Sequence, residues 1–393
     1  VFVDHGGRAS PQPATDLVTT VRIGLVLTVV VVLVSSALFG RYDWTGLPLV
    51  RAPRTDVKVV DENCTELIRP YTTESGRVVE PVVSDEMQYM AMVLYYRGVP
   101  KEDLQVQCFY DPWVYRSGTS WLAHLLPFEE GLSLSVVNLL MTVLGLWFVL
   151  LALRWQGFGP RVVLAGGLLY AVSWNVFFFG AALLVDASAV AAVALCWYLL
   201  CRDRPWLVWP VLLLGYPLKE TVGVVVPVMA VWAWTEVRAG RRSPVGAAAP
   251  TLAAALAFAA GVVWWRGVLP EPDAAWPVSP NLDSVVWNLT NGPGLVALVA
   301  GIGPLLALSV LSVRRRAHRV GWWSALVDPA VTGVVVVLAV NAWSLITVKT
   351  SPRLFWIAFP FAISLAARWL SEGRPRAWLD GLRIPGLPAA VPA

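Results

Sequence analysis

Apolar runs alternate with polar intervals along almost the whole chain. Runs near the roughly 20 residues that a bilayer-spanning helix needs fall at 19–40, 131–153, 162–181, 184–201, 205–217, 221–236, 246–266, 294–313, 329–348 and 354–370. The pattern predicts ten transmembrane helices, the fifth and sixth of them short. The first run is too long for a signal h-region and has no clear small-residue cleavage site after it, so it reads as a retained helix. The polar intervals are unequal. Most are short, but 41–130 is long, and structureless loops beyond about 12–15 residues are uncommon and usually functional.

Within that interval, 51–84 reads as irregular chain or short strands, with the run Val78-Val79-Glu80-Pro81-Val82-Val83. Two stretches then read as amphipathic helices lying at the membrane surface. The first runs from 85 to about 96. Ser84 suits its N-cap, and Asp85 and Glu86 suit the positive helix start. Met87, Met90, Ala91 and Leu94 share one face, and Asp85, Gln88, Tyr89 and Met92 another. Such a helix docks at an interface with its polar side turned to the outer face. The second runs from 112 to 126, with Trp121, Leu122 and Leu125 apolar and Arg116, Thr119, Ser120 and Ala123 on a more polar side.

Arginine gives the direction of threading, because cytoplasmic loops carry the excess of Lys and Arg. Arg154 and Arg161, Arg202 and Arg204, Arg238 with Arg241 and Arg242, and Arg314 to Arg316 with Arg319 fall on alternate loops. With ten spans these loops all face the cytoplasm, as do both termini and the tail 371–393 with Arg374, Arg376 and Arg383. The same rule demands hairpins near 180–186 and 215–220. The whole chain, 1–393, reads as one membrane domain of the plasma (inner) membrane. Its outer side receives a loop subdomain, 41–130, and shorter loops around 180–186, 215–221, 267–293 and 349–353.

Composition agrees: 57% of residues are hydrophobic and 14% charged, against about 25% charged in soluble domains. Much of the Trp, 21 residues, flanks apolar runs as an interfacial belt does. The short Arg clusters follow topology and give no sign of nucleic-acid binding. There is no HExxH, P-loop, dinucleotide fingerprint or paired CxxC. His5, His124 and His318 are scattered.

The candidate chemistry sits on the outer side. Asp85 and Glu86 are a helix cap or a functional carboxylate pair. Lys219-Glu220 is a snorkelling lysine with its partner or an anion site. Asp186 caps the following helix or faces the same outer cavity. Lys349 and Arg353 run against the topological bias. An anionic headgroup or phosphate would explain them, with Arg able to bind it in bidentate fashion; pairing with loop carboxylates is the other reading. Cys64 and Cys108 can form a disulfide in an oxidising exterior, worth roughly 3–5 kcal/mol, or are two free thiols. Cys196 and Cys201 read as packing residues.

The order of these features resembles the GT-C superfamily of polyprenyl-phosphate-dependent glycosyltransferases. The acidic motif of such proteins is matched by Asp85-Glu86-Met87-Gln88-Tyr89. The aromatic and arginine stretch of their second surface helix is similar to Tyr110-Asp111-Pro112-Trp113-Val114-Tyr115-Arg116. Leu218-Lys219-Glu220-Thr221 and the stretch from Pro352-Arg353-Leu354 to Pro360 resemble the Lys/Arg-Glu-Thr turn and the Arg-led final helix.

The resemblance implies a GT-C-like all-α polytopic fold and an inverting transfer of a sugar from a polyprenyl-phosphate donor to a hydroxyl of a glycan, lipid or protein acceptor. Asp85, or Glu86 as second choice, would be the general base. Lys219, Arg353, Arg116 and Lys349 would hold the donor phosphate. Tyr89, Gln88, Asp111, Tyr115, Asp186 and Glu220 would line the pocket. The sequence demands no cofactor and leaves open a divalent ion, Mg or Mn, near Asp85. Membrane lipids are the other expected partners. Two other readings compete. A lipid-linked sugar transporter would need a charged path across the bilayer, and an internal repeat would mark it; no repeat is found. A non-catalytic lipid- or partner-binding membrane protein would use Asp85 only as a cap.

Overall fold

The computed structural model describes residues 15–39, 71–72, 78–79, 85–104, 106, 108–275, 279–347 and 352–372. The described chain is mostly helical. Helix α1 (Leu17–Phe39) precedes the long polar segment, which carries α2 (Asp85–Tyr96) and α3 (Gly118–His124). The bundle continues through α4 (Glu130–Trp155), α5 (Pro160–Ala171), α6 (Trp174–Phe179), α7 (Asp186–Cys201), α8 (Val208–Gly215), α9 (Val225–Arg238) and α10 (Pro244–Val268). It closes with α11 (Leu282–Thr290), α12 (Gly292–Val320), α13 (Trp322–Leu326), α14 (Pro329–Thr347) and α15 (Phe359–Glu372). Short strands β1 (Tyr71–Thr72) and β2 (Val78–Val79) pair antiparallel, and β3 (Tyr110–Asp111) pairs parallel with β4 (Ala274–Ala275).

Seven described helical segments are long and apolar enough to cross a membrane: Leu17–Ala37, Glu130–Trp155, Glu220–Arg238, Pro244–Val268, Gly294–Val320, Pro329–Thr347 and Arg353–Glu372. The chain is a multi-pass membrane protein. Three expected spans are shorter. Those at 184–201 and 205–217 appear as the apolar helices Asp186–Cys201 and Pro205–Gly215. The one at 162–181 is not a single helix: α5 ends at Ala171, and Ser173 starts α6 by accepting a hydrogen bond from the Val176 amide. Serine competes with the helix ladder in this way, and the chain breaks where it does. Conversely, α12 runs on through the Arg314–Arg316 cluster and stops only at Gly321, whose φ of 83° a side chain resists. Arginine is a good helix former, so charge alone did not end that helix.

Irregular backbone inside an apolar bundle must have its carbonyls satisfied. The turn between α6 and α7 meets this demand through α4. Asn138 Nδ2 donates to the carbonyls of Ala182 at 2.8 Å and Leu184 at 2.6 Å, and Thr142 Oγ1 donates to Gly180 O at 2.8 Å. The turn is thereby fixed against α4 and delivers Asp186 at the first residue of α7.

The two surface helices differ from their expected poses. Helix α2 is buried from Met87 to Val93 on all sides, including Gln88, Tyr89 and Met92, so it presents no polar face to solvent there. Helix α3, α4 and the turn 182–185 cover the side expected to be open. In α3 the sides are inverted: Thr119, Ser120 and Ala123 are buried, while Trp121 and Leu125 are exposed. Polar groups there bond inward, Thr119 Oγ1 to Ser188 Oγ at 2.9 Å and Ser120 Oγ to Tyr89 O at 3.0 Å, which leaves the apolar side for lipid. Cys196 is free and packed in the bundle core, as expected.

Candidate active site

Five separate parts of the chain supply the charged side chains that meet at the end of the bundle carrying α2 and α3. Asp85 opens α2. Asp186 opens α7. Lys219, in extended conformation, lies between α8 and the 3₁₀ turn Glu220–Val224. Arg353 lies in the 3₁₀ turn Pro352–Ala358 that leads into α15. Arg116 comes from the 3₁₀ turn just before α3. Gly118 holds that turn in place. Its amide donates to Pro217 O at 2.7 Å, and a Cβ there would lie 2.9 Å from the same carbonyl. The glycine therefore lets the start of α3 sit directly on the loop that carries Lys219 and Glu220.

The charges are paired in an interlocking set. Lys219 Nζ donates to Asp186 Oδ1 at 2.5 Å, and the two side chains are only 4% and 3% exposed. Arg353 forms a hydrogen-bonded ion pair with Asp85 through one terminal nitrogen, and its Nε lies 3.9 Å from Asp186 Oδ2. Arg116 grips Glu220 with two nitrogens, its Nε 2.8 Å from Oε2. Burial opposes the charge on Arg116, but the Glu220 carboxylate outweighs it and holds the guanidinium's pKa above its ordinary value. Burial pushes the Tyr89 phenol upward too, so it stays protonated.

These groups line one cavity of about 230 Å³. Asp85, Tyr89, Arg116, Asp186, Lys219, Glu220 and Arg353 all border it. Three cations face three carboxylates, so the lining is formally neutral. Val337, Val340, Asn341, Trp343 and Ser344 of α14 form another wall, which carries no charge.

No protein-family model and no curated protein matches the chain. Among solved structures, ArnT from Cupriavidus metallidurans in the apo state superposes with a TM-score of 0.50 at 17% sequence identity, over 75% of this chain and 56% of that one. The chain has an ArnT-like fold. The same protein bound to undecaprenyl phosphate superposes with a TM-score of 0.47, at 17% identity, over 75% of this chain and 57% of that one. The chain thus spans little more than half of the length of these neighbours.

Within this ArnT-like fold, not every residue singled out by sequence reaches the cavity. Gln88 turns away and donates to Cys108 O at 2.9 Å. It sits three residues after Asp85, on the side of α2 that packs on the loop, whereas Tyr89, four residues on, borders the cavity. Asp111 and Tyr115 belong to a neighbouring cluster around Arg266, whose guanidinium lies 4.8 Å from the Tyr115 ring centre and whose Nε donates to Tyr216 Oη at 3.0 Å. Glu86 is close enough to act electrostatically on Arg353 but does not border the cavity. Cys108 is disulfide-bonded; Cys64, Ser84 and Lys349 lie outside the described residues. Lys219 and Glu220 do not pair with each other but with Asp186 and Arg116. Among the described residues, no group of three or more His, Cys, Asp or Glu side chains is placed to hold a metal ion.

The α14 wall was missed. Its signal was present in the sequence: Asn341 and Ser344 are polar residues three apart in an otherwise apolar run, and polar residues in such runs face protein or a cavity.

Proposed function

We propose that the protein is an inverting glycosyltransferase that moves a sugar from a polyprenyl-phosphate donor to an acceptor hydroxyl at the extracytoplasmic face, with Asp85 as general base. The observation that carries this reading is the convergence of Asp85, Arg116, Lys219 and Arg353, from distant parts of the chain, on one cavity that Val185, Val224, Leu354 and Ile357 also line with apolar side chains. An amphiphile with an anionic head and a hydrocarbon tail fits such a site. The ArnT-like fold supports a membrane glycosyltransferase in general terms.

The chemistry follows from the pairing. In the structure Arg353 is held by Asp85. A lipid phosphate entering the cavity competes for that guanidinium, and charge-assisted, bidentate contacts to phosphate favour the exchange. Asp85 is then released beside the anomeric carbon. The acceptor oxygen attacks that carbon and its proton passes to Asp85. The bond from the anomeric carbon to the phosphate oxygen breaks, and the lipid phosphate leaves with the electron pair, stabilised by Arg353, Lys219 and Arg116. Direct displacement inverts the anomeric configuration.

The same pairing would suit a catalytically silent lipid-binding protein, which also needs its buried charges neutralised. Binding separates the lipid-site reading from a purely structural one. Arg353→Gln should weaken polyprenyl phosphate binding in nanodiscs by tenfold or more. Unchanged affinity would remove the phosphate from this cavity.

A further inference from the structure

The uncharged wall of the cavity has a role that the ion pairs do not cover. Asn341 is 2% exposed and borders the cavity. Its Nδ2 donates to Val337 O at 2.8 Å and to Leu354 O at 3.2 Å. Both amide hydrogens are therefore committed to carbonyls, which fixes the orientation of the amide. Its Oδ1 accepts no hydrogen bond among the described residues. An amide oxygen is an acceptor only, so it cannot bind a phosphate oxygen; it needs a donor. The cavity's carboxylates are each engaged with a cation. Asn341 Oδ1 is thus a neutral acceptor, free for a ligand hydroxyl.

Two residues beside Asn341 fit the same occupant. Trp343 also borders the cavity and is 54% exposed, which leaves a broad aromatic surface unpacked. Ser344 borders it one turn on and bonds only weakly to its own helix, at 3.3 Å to Val340 O. A sugar ring presents hydroxyls for the amide and an apolar C–H face for the indole. The charged wall opposite supplies the contacts that a phosphate needs.

Building on the glycosyltransferase reading, the geometry points to the α14 wall as the subsite for the transferred sugar, with Asn341 Oδ1 accepting from a sugar hydroxyl and Trp343 covering the ring. Asn341 and Trp343 are then specificity-determining residues. A site built to bond a hydroxyl discriminates strongly against a ligand that lacks it, because the buried acceptor is left unpaired.

The test compares two affinities in nanodiscs: polyprenyl phosphate alone, and polyprenyl phosphate bearing a single pentose or hexose. The wild-type protein should prefer at least one glycosylated lipid over the bare one. Asn341→Leu and Trp343→Ala should each cut that preference by about tenfold. Using the ratio matters because Asn341 also anchors Leu354, next to Arg353, so a shift of that backbone in Asn341→Leu lowers both affinities together and cancels in the ratio. Trp343 is exposed, so its removal leaves the fold intact and gives a second readout if Asn341→Leu does not fold. An unchanged ratio in Trp343→Ala and in a folded Asn341→Leu, or no preference in the wild type, overturns the sugar subsite while leaving the phosphate site standing. Failure to bind bare polyprenyl phosphate overturns the functional reading itself, and the subsite with it.

Discussion

Lys219 and Asp186 show how far single residues could be read. The sidedness of the arginines placed Lys219, Asp85 and Arg353 together, and all three border one cavity. The partners were not legible. Lys219 stands next to Glu220 in sequence, yet its extended backbone sends the two side chains to different partners. Gln88 likewise follows Asp85 closely but faces the Cys108 carbonyl. Which residue pairs with which depends on contacts between segments that local spacing does not encode. The buried pair carries a prediction. Asp186→Asn leaves the Lys219 ammonium without its carboxylate, and breaking a buried pair costs about 3–5 kcal/mol. Thermal unfolding in detergent should show that loss, and Asp186→Asn combined with Lys219→Met should recover most of it.

At the scale of elements, apolar run length located the helices well, since a long apolar helix announces itself. The break at Ser173 and the run-on of α12 were less visible, because both depend on a single capping residue rather than on hydrophobicity. The inverted pose of α3 was hidden for another reason. Its polar side chains serve buried partners on α2 and α7, and polarity alone reads as exposure. The contact of α3 with the Pro217 loop has a direct test. Gly118→Val places a branched side chain where even a Cβ meets backbone at 2.9 Å, which must push Arg116 away from Glu220. Turnover should fall by tenfold or more although no charged group is altered, and Gly118→Ala should fall between the two. Wild-type activity in Gly118→Val would show that this docking does not position the site.

At the scale of the whole molecule, two clusters of interlocked charge among the described residues bear on stability and function. One is the cavity. The other is an ion cluster where Asp328, 1% exposed, accepts from Arg316 and Arg368 at 2.6 Å each and caps α14 through the Ala330 amide. Burial pushes this carboxyl upward, but the two guanidiniums more than offset it and hold its pKa below the ordinary value. The unfolded chain, with a carboxyl near 3.9, therefore binds the proton more tightly than the folded one. The resulting stability is essentially complete above about pH 4.5 and is lost as pH falls through the unfolded value and then the folded one. Unfolding followed against pH should be flat from neutral to about 4.5 and then decline, and Asp328→Asn should remove much of that decline.

In the proposed mechanism Asp85 is the base of a lipid-phosphate site and is held by Arg353 until the donor arrives. The most direct measurement is the paired determination of donor affinity and kcat for Asp85→Asn in nanodiscs. Losing a general base should lower kcat by about 10²–10⁴-fold. Freeing Arg353 from its carboxylate should leave polyprenyl phosphate affinity unchanged or raise it. Wild-type turnover, or a loss of binding that matches the loss of turnover, would contradict the account.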